Sequence, residues 1–217
     1  MLRSEAEMFD RLPILTLQAS PLYGWSLVTK RVMDIGLCTL ALIVASPLMI
    51  AIAIAIRWTS PGPIFYRQVR MGLDGKSFSM LKFRSMRVDA EQGTGAVWTQ
   101  ANDNRRTAIG KLLRRTSLDE LPQCFNVLKG DMSLVGPRPE RPELIEQCRE
   151  GIPTYILRQK MKAGMTGWAQ VHGWRGQTSL EKRVEHDLHY IEHWTPWLDL
   201  KILGMTLVKG FINKNAY

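Results

Sequence analysis

Residues 111–141, KLLRRTSLDELPQCFNVLKGDMSLVGPRPER, carry the densest chemistry in the chain. Adjacent carboxylates, Asp119 and Glu120, stand among Lys111, Arg114, Arg115, Lys129, Arg138 and Arg141, and a Gly-Pro-Arg-Pro turn runs from Gly136 to Pro139. Carboxylates set among guanidinium groups suit chemistry on phosphate. The cations bind substrate oxyanions and keep a carboxylate ionised as a nucleophile or metal ligand. An aspartyl oxygen can attack phosphorus to give an acyl phosphate, and a divalent ion can offset the repulsion between anions. A plainer reading fits the same residues. Ser117 to Glu120 matches the S-x-x-E capping box, and a rival register with Asp119 as N-cap puts Pro122 where no amide bond is lost. A cap does not account for the density of arginine or the rigid turn.

The elements around this stretch must hold it near an anionic partner. The chain has 217 residues, with 29 Lys+Arg against 20 Asp+Glu and a net charge of +9. That excess fits nucleic acid, anionic lipid or a phosphorylated substrate. Cys38, Cys124 and Cys148 are odd in number and widely spaced, so they form no disulfide framework or zinc spacing and favour a reducing compartment. His186, His189 and His193 share one helical face, but Glu185, Asp187 and Glu192 around them read as an ordinary helix surface.

Ile35 to Ile56 is a run of 22 residues without a charge. It is long enough to cross a bilayer, and too long and too far from the start for a secretory signal. Ser46-Pro47 interrupts it near the middle, where proline removes a backbone hydrogen bond. Lys30 and Arg31 precede it and Arg57 follows, so it lacks a clear polarity across a membrane. The residues admit both a kinked span and a re-entrant hairpin. Near the C-terminus, Trp194, Trp197 and a series of apolar residues alternate with Lys201, Lys209 and Lys214. This pattern suits either a helix lying in the headgroup region or a buried amphipathic helix.

The remaining patterns are shorter. Residues 1–29 read as a lead-in strand or linker, 30–57 as the membrane helix, and 58–217 as the domain bearing the carboxylates. Ile64 to Arg70 and Phe78 to Phe83 read as a hairpin joined by a turn at Leu73-Asp74-Gly75-Lys76. Val88 to Arg106 is a polar loop. Helices are expected over Thr107–Leu113, Leu118–Leu128, Pro142–Glu150, Tyr155–Met161, Ser179–His193 and Thr195–Asn213. The fold class is therefore α+β and mostly helical, with a small β-hairpin.

Several ordered motifs resemble the bacterial sugar transferases, the monotopic phosphoglycosyl transferases, and above all the catalytic region of the exopolysaccharide-initiating branch. They are Lys30-Arg31-Val32-Met33-Asp34, Ser46-Pro47, SPGPIFYRQVRMG (60–72), KFRSM (82–86), LRRTSLDELPQCFNVLKGDMSLVGPRP (113–139), GMTGWAQVHGWRG (164–176) and DLKILGMTLVKGFINKNAY (199–217). The resemblance implies transfer of a sugar-1-phosphate from a UDP-sugar to undecaprenyl phosphate, releasing UMP. It implies a monotopic protein whose re-entrant helix is broken at Ser46-Pro47, with interfacial amphipathic helices. It also implies magnesium as cofactor and a place at the bacterial inner membrane, with the catalytic domain on the cytoplasmic face.

By the same resemblance Asp119 is the nucleophile. Glu120 is a metal ligand or general base, with Asp119 sharing the metal. Arg114 and Arg138 hold phosphate oxygens, with Lys82 as a further candidate. Some positions depart from the family pattern: Ala108 replaces an arginine, Lys162-Ala163-Gly164 replaces Lys-Pro-Gly, and Met33 replaces a common phenylalanine. The sugar is not legible, nor is the oligomeric state. The chain reads either as a natural short form or as a piece of a longer multi-span protein. The competing reading is a basic membrane-anchored adaptor or nucleic-acid-binding module, with the positive charge as its footprint. Against it, the aromatics are not interleaved with Lys and Arg, and no nucleic-acid motif appears.

Overall fold

The computed structural model describes residues 3–9, 12–18, 22–88, 90, 105–143, 145, 153–176 and 178–210. Strands β1 (Arg3–Phe9) and β2 (Leu12–Gln18) pair antiparallel ahead of helix α1 (Trp25–Thr59). Helix α1 is a single element of 35 residues with Pro47 inside it. Ser46-Pro47 therefore lies within a continuous hydrogen-bonded helix and not in a gap between two. Pro47 has no N–H to offer the carbonyl of Ile43, one turn back, and the Ser46 hydroxyl donates to that carbonyl at 2.8 Å instead. In apolar surroundings no water could make that bond, so the serine satisfies the group that its neighbour orphans.

Only 11% of the most apolar stretch of α1 is buried, and Leu40, Ile43, Val44 and Ile50 are exposed. Length, composition and exposure are those of a membrane-associated helix. Two patches along α1 nonetheless pack on the rest of the protein. Cys38 joins a cluster with Val127, Met132, Tyr190 and Ile202, while Met49, Ile52 and Ile56 pack with Phe83 and Leu113.

The flanking cations do not behave as interfacial charges. Lys30 is buried, with its ammonium 2.8 Å from Asp199, and Arg31 donates to the carbonyls of Val127 and Leu128 at 2.6 and 2.7 Å. Arg57 alone of the three is exposed. The two charges at the start of α1 are taken up by protein acceptors.

After α1 comes the antiparallel hairpin β3 (Phe65–Met71) and β4 (Ser77–Phe83), joined through a short 3₁₀ turn at Leu73–Gly75. A two-stranded hairpin alone is marginal in water and needs backing. Phe83 packs against α1 on one side. The free edge of β4 is closed by a side chain: the Asn126 amide accepts from Leu81 N–H at 2.9 Å and donates to the Ser79 carbonyl at 2.8 Å.

Helices α2 (Ala108–Arg115) and α3 (Gln123–Lys129) follow, with strand β5 (Ser133–Val135) and a 3₁₀ segment at Pro153–Lys160 where an α-helix was expected. Strand β6 (Gly164–Thr166) pairs with β5 in parallel. Helices α4 (Trp168–Val171), α5 (Leu180–Glu192) and α6 (Pro196–Gly210) complete the described chain. The polar stretch 91–104, most of the expected helix over 142–150, and residues 211–217 lie outside it.

Replacing Ser46 by Ala should leave the Ile43 carbonyl without a donor, a loss of about 1 kcal/mol. The thermal midpoint in lipid nanodiscs should fall by roughly 2–4 °C. The double variant Ser46→Ala with Pro47→Ala should recover it, because residue 47 then supplies the amide. A double variant that melts below the single one would contradict the pairing.

Candidate active site

Hairpin register decides which way Lys82 points. Tyr66 stands opposite Lys82, and Phe65 opposite Phe83. Successive residues on a strand face opposite sides, so these two pairs cover different faces. Phe65 and Phe83 stack with centroids 5.5 Å apart on the face toward α1. Lys82 goes to the other face and meets the carboxylates.

Local geometry then presents Asp119 and Glu120. Thr107 caps α2, its hydroxyl accepting from Gly110 N–H at 3.0 Å, and the helix ends on Arg114 and Arg115. Ser117 follows at φ 55°, in the left-handed region that costs a non-glycine residue energy. A single 3₁₀ turn, Leu118–Glu120, comes next, and α3 starts only after Pro122. The Ser117 side chain makes no capping bond, and Asp119 is not an N-cap. Both helix-cap registers open to the sequence are thus absent. The helix expected over Leu118–Leu128 is split, and the turn ahead of it aims both carboxylates inward.

Glu120 lies between two cations. Its Oε1 accepts from Lys82 Nζ at 2.8 Å and from Arg138 Nη2 at 2.7 Å, while Arg138 Nη1 lies 3.5 Å from Oε2. Arg138 Nη1 also donates to Gln170 Oε1 at 2.8 Å. Asp119 is 5% exposed, yet its carboxylate accepts no hydrogen bond among the described residues. Burial raises the Asp119 carboxyl above its ordinary range, partly offset by Lys82, Arg114 and Arg138. For Glu120, burial works the same way, but Arg138 and Lys82 outweigh it and hold the group well below the carboxylate range. Burial lowers Lys82, and the two carboxylates oppose that. Neighbouring carboxyls pushed apart in this way take different roles. Glu120 is the fixed anion of an ion triad, and Asp119 is the more basic group, its oxygens accepting no hydrogen bond among the described residues.

The Gly136–Pro139 turn is held by close backbone packing. A Cβ on Gly164 would lie 2.1 Å from Gly136 N, and one on Gly167 would lie 2.2 Å from Gly136 O. Only glycine permits this approach, and it brings the segment bearing Gln170 against Arg138. The turn's carbonyls are also satisfied: Arg158 donates to Arg138 O and Arg70 to Pro139 O, both at 3.2 Å. Arg158 in turn pairs with buried Asp187 at 2.6 Å, and Arg183 with Glu140 at 2.8 Å. Asp187 was expected on the solvated face of α5, but both it and Arg183 are 2% exposed. His189 stacks on Trp168 and His193, while His172 meets Trp168 and His186, and His186 meets Trp174, at tilted angles.

The structure thus brings Asp119, Glu120, Lys82 and Arg138 together, with Arg114 near enough to bias Asp119. Lys111 and Arg115 are exposed, and Lys129 pairs with Asp131 at 3.1 Å. Sequence reasoning missed Gln170, which orients Arg138, and Arg175, a half-buried guanidinium within electrostatic reach of Asp119 and Glu120. Both lie in GMTGWAQVHGWRG, a recognised motif whose residues carried no assigned roles. Among the described residues no group of three or more His, Cys, Asp or Glu side chains is arranged to hold a metal ion. Magnesium needs no such cage, since one or two carboxylates with substrate phosphates suffice. Asp119, whose oxygens accept no hydrogen bond among the described residues, and Glu120 Oε2, with its long contact, fit that mode.

The chain also resembles known proteins along its length. The family described as "Bacterial sugar transferase" matches residues 25–213. The chain is 49% identical over 221 residues to a UDP-glucose:undecaprenyl-phosphate glucose-1-phosphate transferase of Escherichia coli (strain K12), covering 100% of this chain and 47% of the relative. It is 44% identical over 223 residues to the protein of that name from Xanthomonas campestris pv. campestris, covering 100% and 46%. It is 41% identical over 198 residues to the "Exopolysaccharide production protein PSS" of Rhizobium leguminosarum bv. phaseoli, covering 85% and 99%. The chain thus spans about half the length of the first two relatives.

If Asp119 must be ionised to act, kcat/KM should fall as pH drops through a value above the ordinary aspartyl pKa of about 4. Lys82→Met removes the strongest influence that lowers Asp119, so the acid limb should move to higher pH. An unmoved limb in that variant would dissociate Asp119 from the titration.

Proposed function

The chain belongs to the bacterial sugar transferase family, and from that premise we propose that it moves a sugar-1-phosphate from a UDP-sugar to undecaprenyl phosphate, releasing UMP. One observation carries the reading. Asp119 is a buried carboxylate with raised basicity whose oxygens accept no hydrogen bond among the described residues, beside Glu120, whose charge Lys82 and Arg138 already take up. UDP-glucose is the first donor to test, because the Escherichia coli and Xanthomonas relatives are named for it.

In the proposed reaction an Asp119 oxygen attacks the β-phosphorus of the donor. The bond from that phosphorus to the bridging oxygen breaks, and UMP leaves with the electron pair. An acyl phosphate bearing the sugar remains on Asp119. A phosphate oxygen of undecaprenyl phosphate then attacks the same phosphorus and frees the carboxylate. Lys82, Arg114, Arg138 and Arg175 bind non-bridging oxygens whose charge builds up in both steps. Gln170 keeps the Arg138 guanidinium facing the site. A magnesium ion held by Asp119, Glu120 and the donor diphosphate would neutralise phosphate charge.

The lipid acceptor requires a site at the membrane surface. In support, an apolar cavity of about 310 Å³ lies between α1 and the hairpin, lined by Leu42, Met49, Ile50, Phe65, Phe83 and Phe125. Its lining is almost wholly apolar, as an isoprenoid needs, and it lies across the hairpin from the carboxylates that Lys82 meets. Both packed patches of α1 lean on the catalytic residues' own domain, and Trp25 and Trp58 are exposed near its two ends. A re-entrant seating, with both ends on one side, is proposed on the family resemblance and on the packing of both patches against one domain. The cytoplasmic face of the inner membrane is that side in this reading, and the reaction opens exopolysaccharide or related glycan assembly.

Purified protein with magnesium, undecaprenyl phosphate and UDP-glucose should release UMP, with a panel of other UDP-sugars as the fallback. Asp119→Asn should cut the rate by about a thousandfold or more. Donor alone should leave a phosphosugar adduct on Asp119 by mass spectrometry, and undiminished release from Asp119→Asn would remove the assignment. For topology, cysteines placed at the exposed positions Leu27 and Trp58 should react with an impermeant maleimide from the same side.

A further inference from the structure

The first turns of α1 carry a row of polar side chains that the reaction itself does not use. Lys30, Asp34 and Cys38 recur every four residues and so share one helix face. All three are buried. The Lys30 ammonium lies 2.8 Å from Asp199 of α6 and 3.2 Å from the Tyr190 hydroxyl of α5. Asp199 also accepts from Trp194 Nε1 at 3.2 Å and from the Tyr190 hydroxyl. One turn on, Asp34 Oδ1 accepts from the backbone N–H of Leu134 at 3.0 Å. The Cys38 thiol lies 3.3 Å from the Cys124 carbonyl of α3.

The bond from Asp34 falls on strand β5. That strand pairs with β6 on one side through Ser133 N–H to Ala163 O at 2.9 Å and Gly136 N–H to Thr166 O at 2.9 Å. Leu134 N–H and Val135 C=O face the other way. Asp34 holds the first, while the second lies 3.2 Å from the Tyr190 hydroxyl and 3.0 Å from the Ser133 hydroxyl. An unpaired strand edge in a buried setting is costly, so these side chains stand in for a third strand. Gly136 follows Val135 directly, and Arg138 is two residues further. The edge of β5 is therefore one of the fixed points that flank the turn delivering Arg138 to Glu120 and Gln170, together with the Gly136 N–H to Thr166 O bond.

We propose that Asp34 is a positioning residue for the transfer: from the membrane helix it holds the strand that runs into Arg138, so that the seating of α1 is felt at the phosphate-binding turn. The Lys30–Asp199–Tyr190 cluster fixes the height of α1 against α5 and α6 and so fixes Asp34. Rotating or lifting α1 by a fraction of a turn would break the Asp34–Leu134 bond, whose two ends lie on the two elements. Catalysis thereby depends on a properly embedded helix.

This proposal rests on the transferase reading, and a double-mutant cycle in nanodiscs separates the two. UMP release is measured for Asp34→Ala and Asp34→Asn, each alone and combined with Arg138→Lys. Asp34→Ala should lower kcat by about tenfold when Arg138 is present and by less than about twofold beside Arg138→Lys, because its effect passes through that arginine. Asp34→Asn keeps an oxygen for Leu134 N–H and should stay within about threefold of the unsubstituted protein. Affinity for UDP, read by calorimetry without turnover, should follow the same pattern. Equal losses on both backgrounds, or an asparagine as damaging as alanine, would overturn the proposal. If Asp34→Ala does not fold, Tyr190→Phe takes its place in the cycle, and additivity there overturns the proposal equally. No UMP from the unsubstituted chain with any donor would sink the transferase reading, leaving UDP affinity to judge Asp34.

Discussion

The site depends on a carboxylate shared by two cations from distant parts of the chain. Glu120 joins Lys82 of the hairpin to Arg138 of the Gly-Pro-Arg-Pro turn, with contacts of 2.8 and 2.7 Å. Remove its charge and Lys82 and Arg138 would face each other, half-buried and repelling. Because Glu120 is spent on these cations, it stays ionised, and Asp119 one residue away is left as the more basic oxygen. The same triad closes the distance between hairpin, 3₁₀ turn and proline-rich turn. Architecture and electrostatics are one arrangement here.

Holding charged groups in a protein interior carries a desolvation cost that only close partners offset. The chain meets it by pairing. Arg158 with Asp187, Arg183 with Glu140 and Lys30 with Asp199 are buried pairs behind the site. The first two hold the residues around Arg138, and the third seats the membrane helix. Removing a single partner from any of them leaves an uncompensated charge, so these positions are less tolerant than their distance from Asp119 suggests. The small sheets follow the same logic. Too short to shield their own edges, they are finished by Asn126 on β4 and by Asp34 on β5.

The hairpin divides two environments by the simplest periodicity a strand has. Phe65 and Phe83 belong to the apolar side against α1, while Tyr66 and Lys82 belong to the polar side. A shift of register by one residue would send Lys82 toward the apolar face and a phenylalanine to the carboxylates. The stacking of the two rings and the clasp of Asn126 both oppose that slip. The proposed transfer between a water-soluble donor and a lipid acceptor would use such a partition.

Much of the chemistry was legible from residue types in order. Asp119, Glu120 and Arg138 stand in a stretch whose composition already points to phosphate, Lys82 came only from the family resemblance, and the long uncharged run already points to a bilayer. Alternation placed the β3/β4 hairpin, and Thr107 and Ser179 marked helix starts. Local patterns misled where partners came from far away. Asp187 looks like a surface charge until Arg158 is brought to it, and Lys30 looks interfacial until Asp199 arrives from 169 positions along the chain. Strands β5 and β6, three residues each, carry no periodicity to detect and exist because glycines let the two backbones meet. The sequence by itself determined which groups could do chemistry on phosphate and which stretch seeks lipid, because those are properties of side chains. Only the tertiary structure decided which carboxylate is neutralised and which stays available, because that depends on which cations long-range packing places within three ångströms of each oxygen.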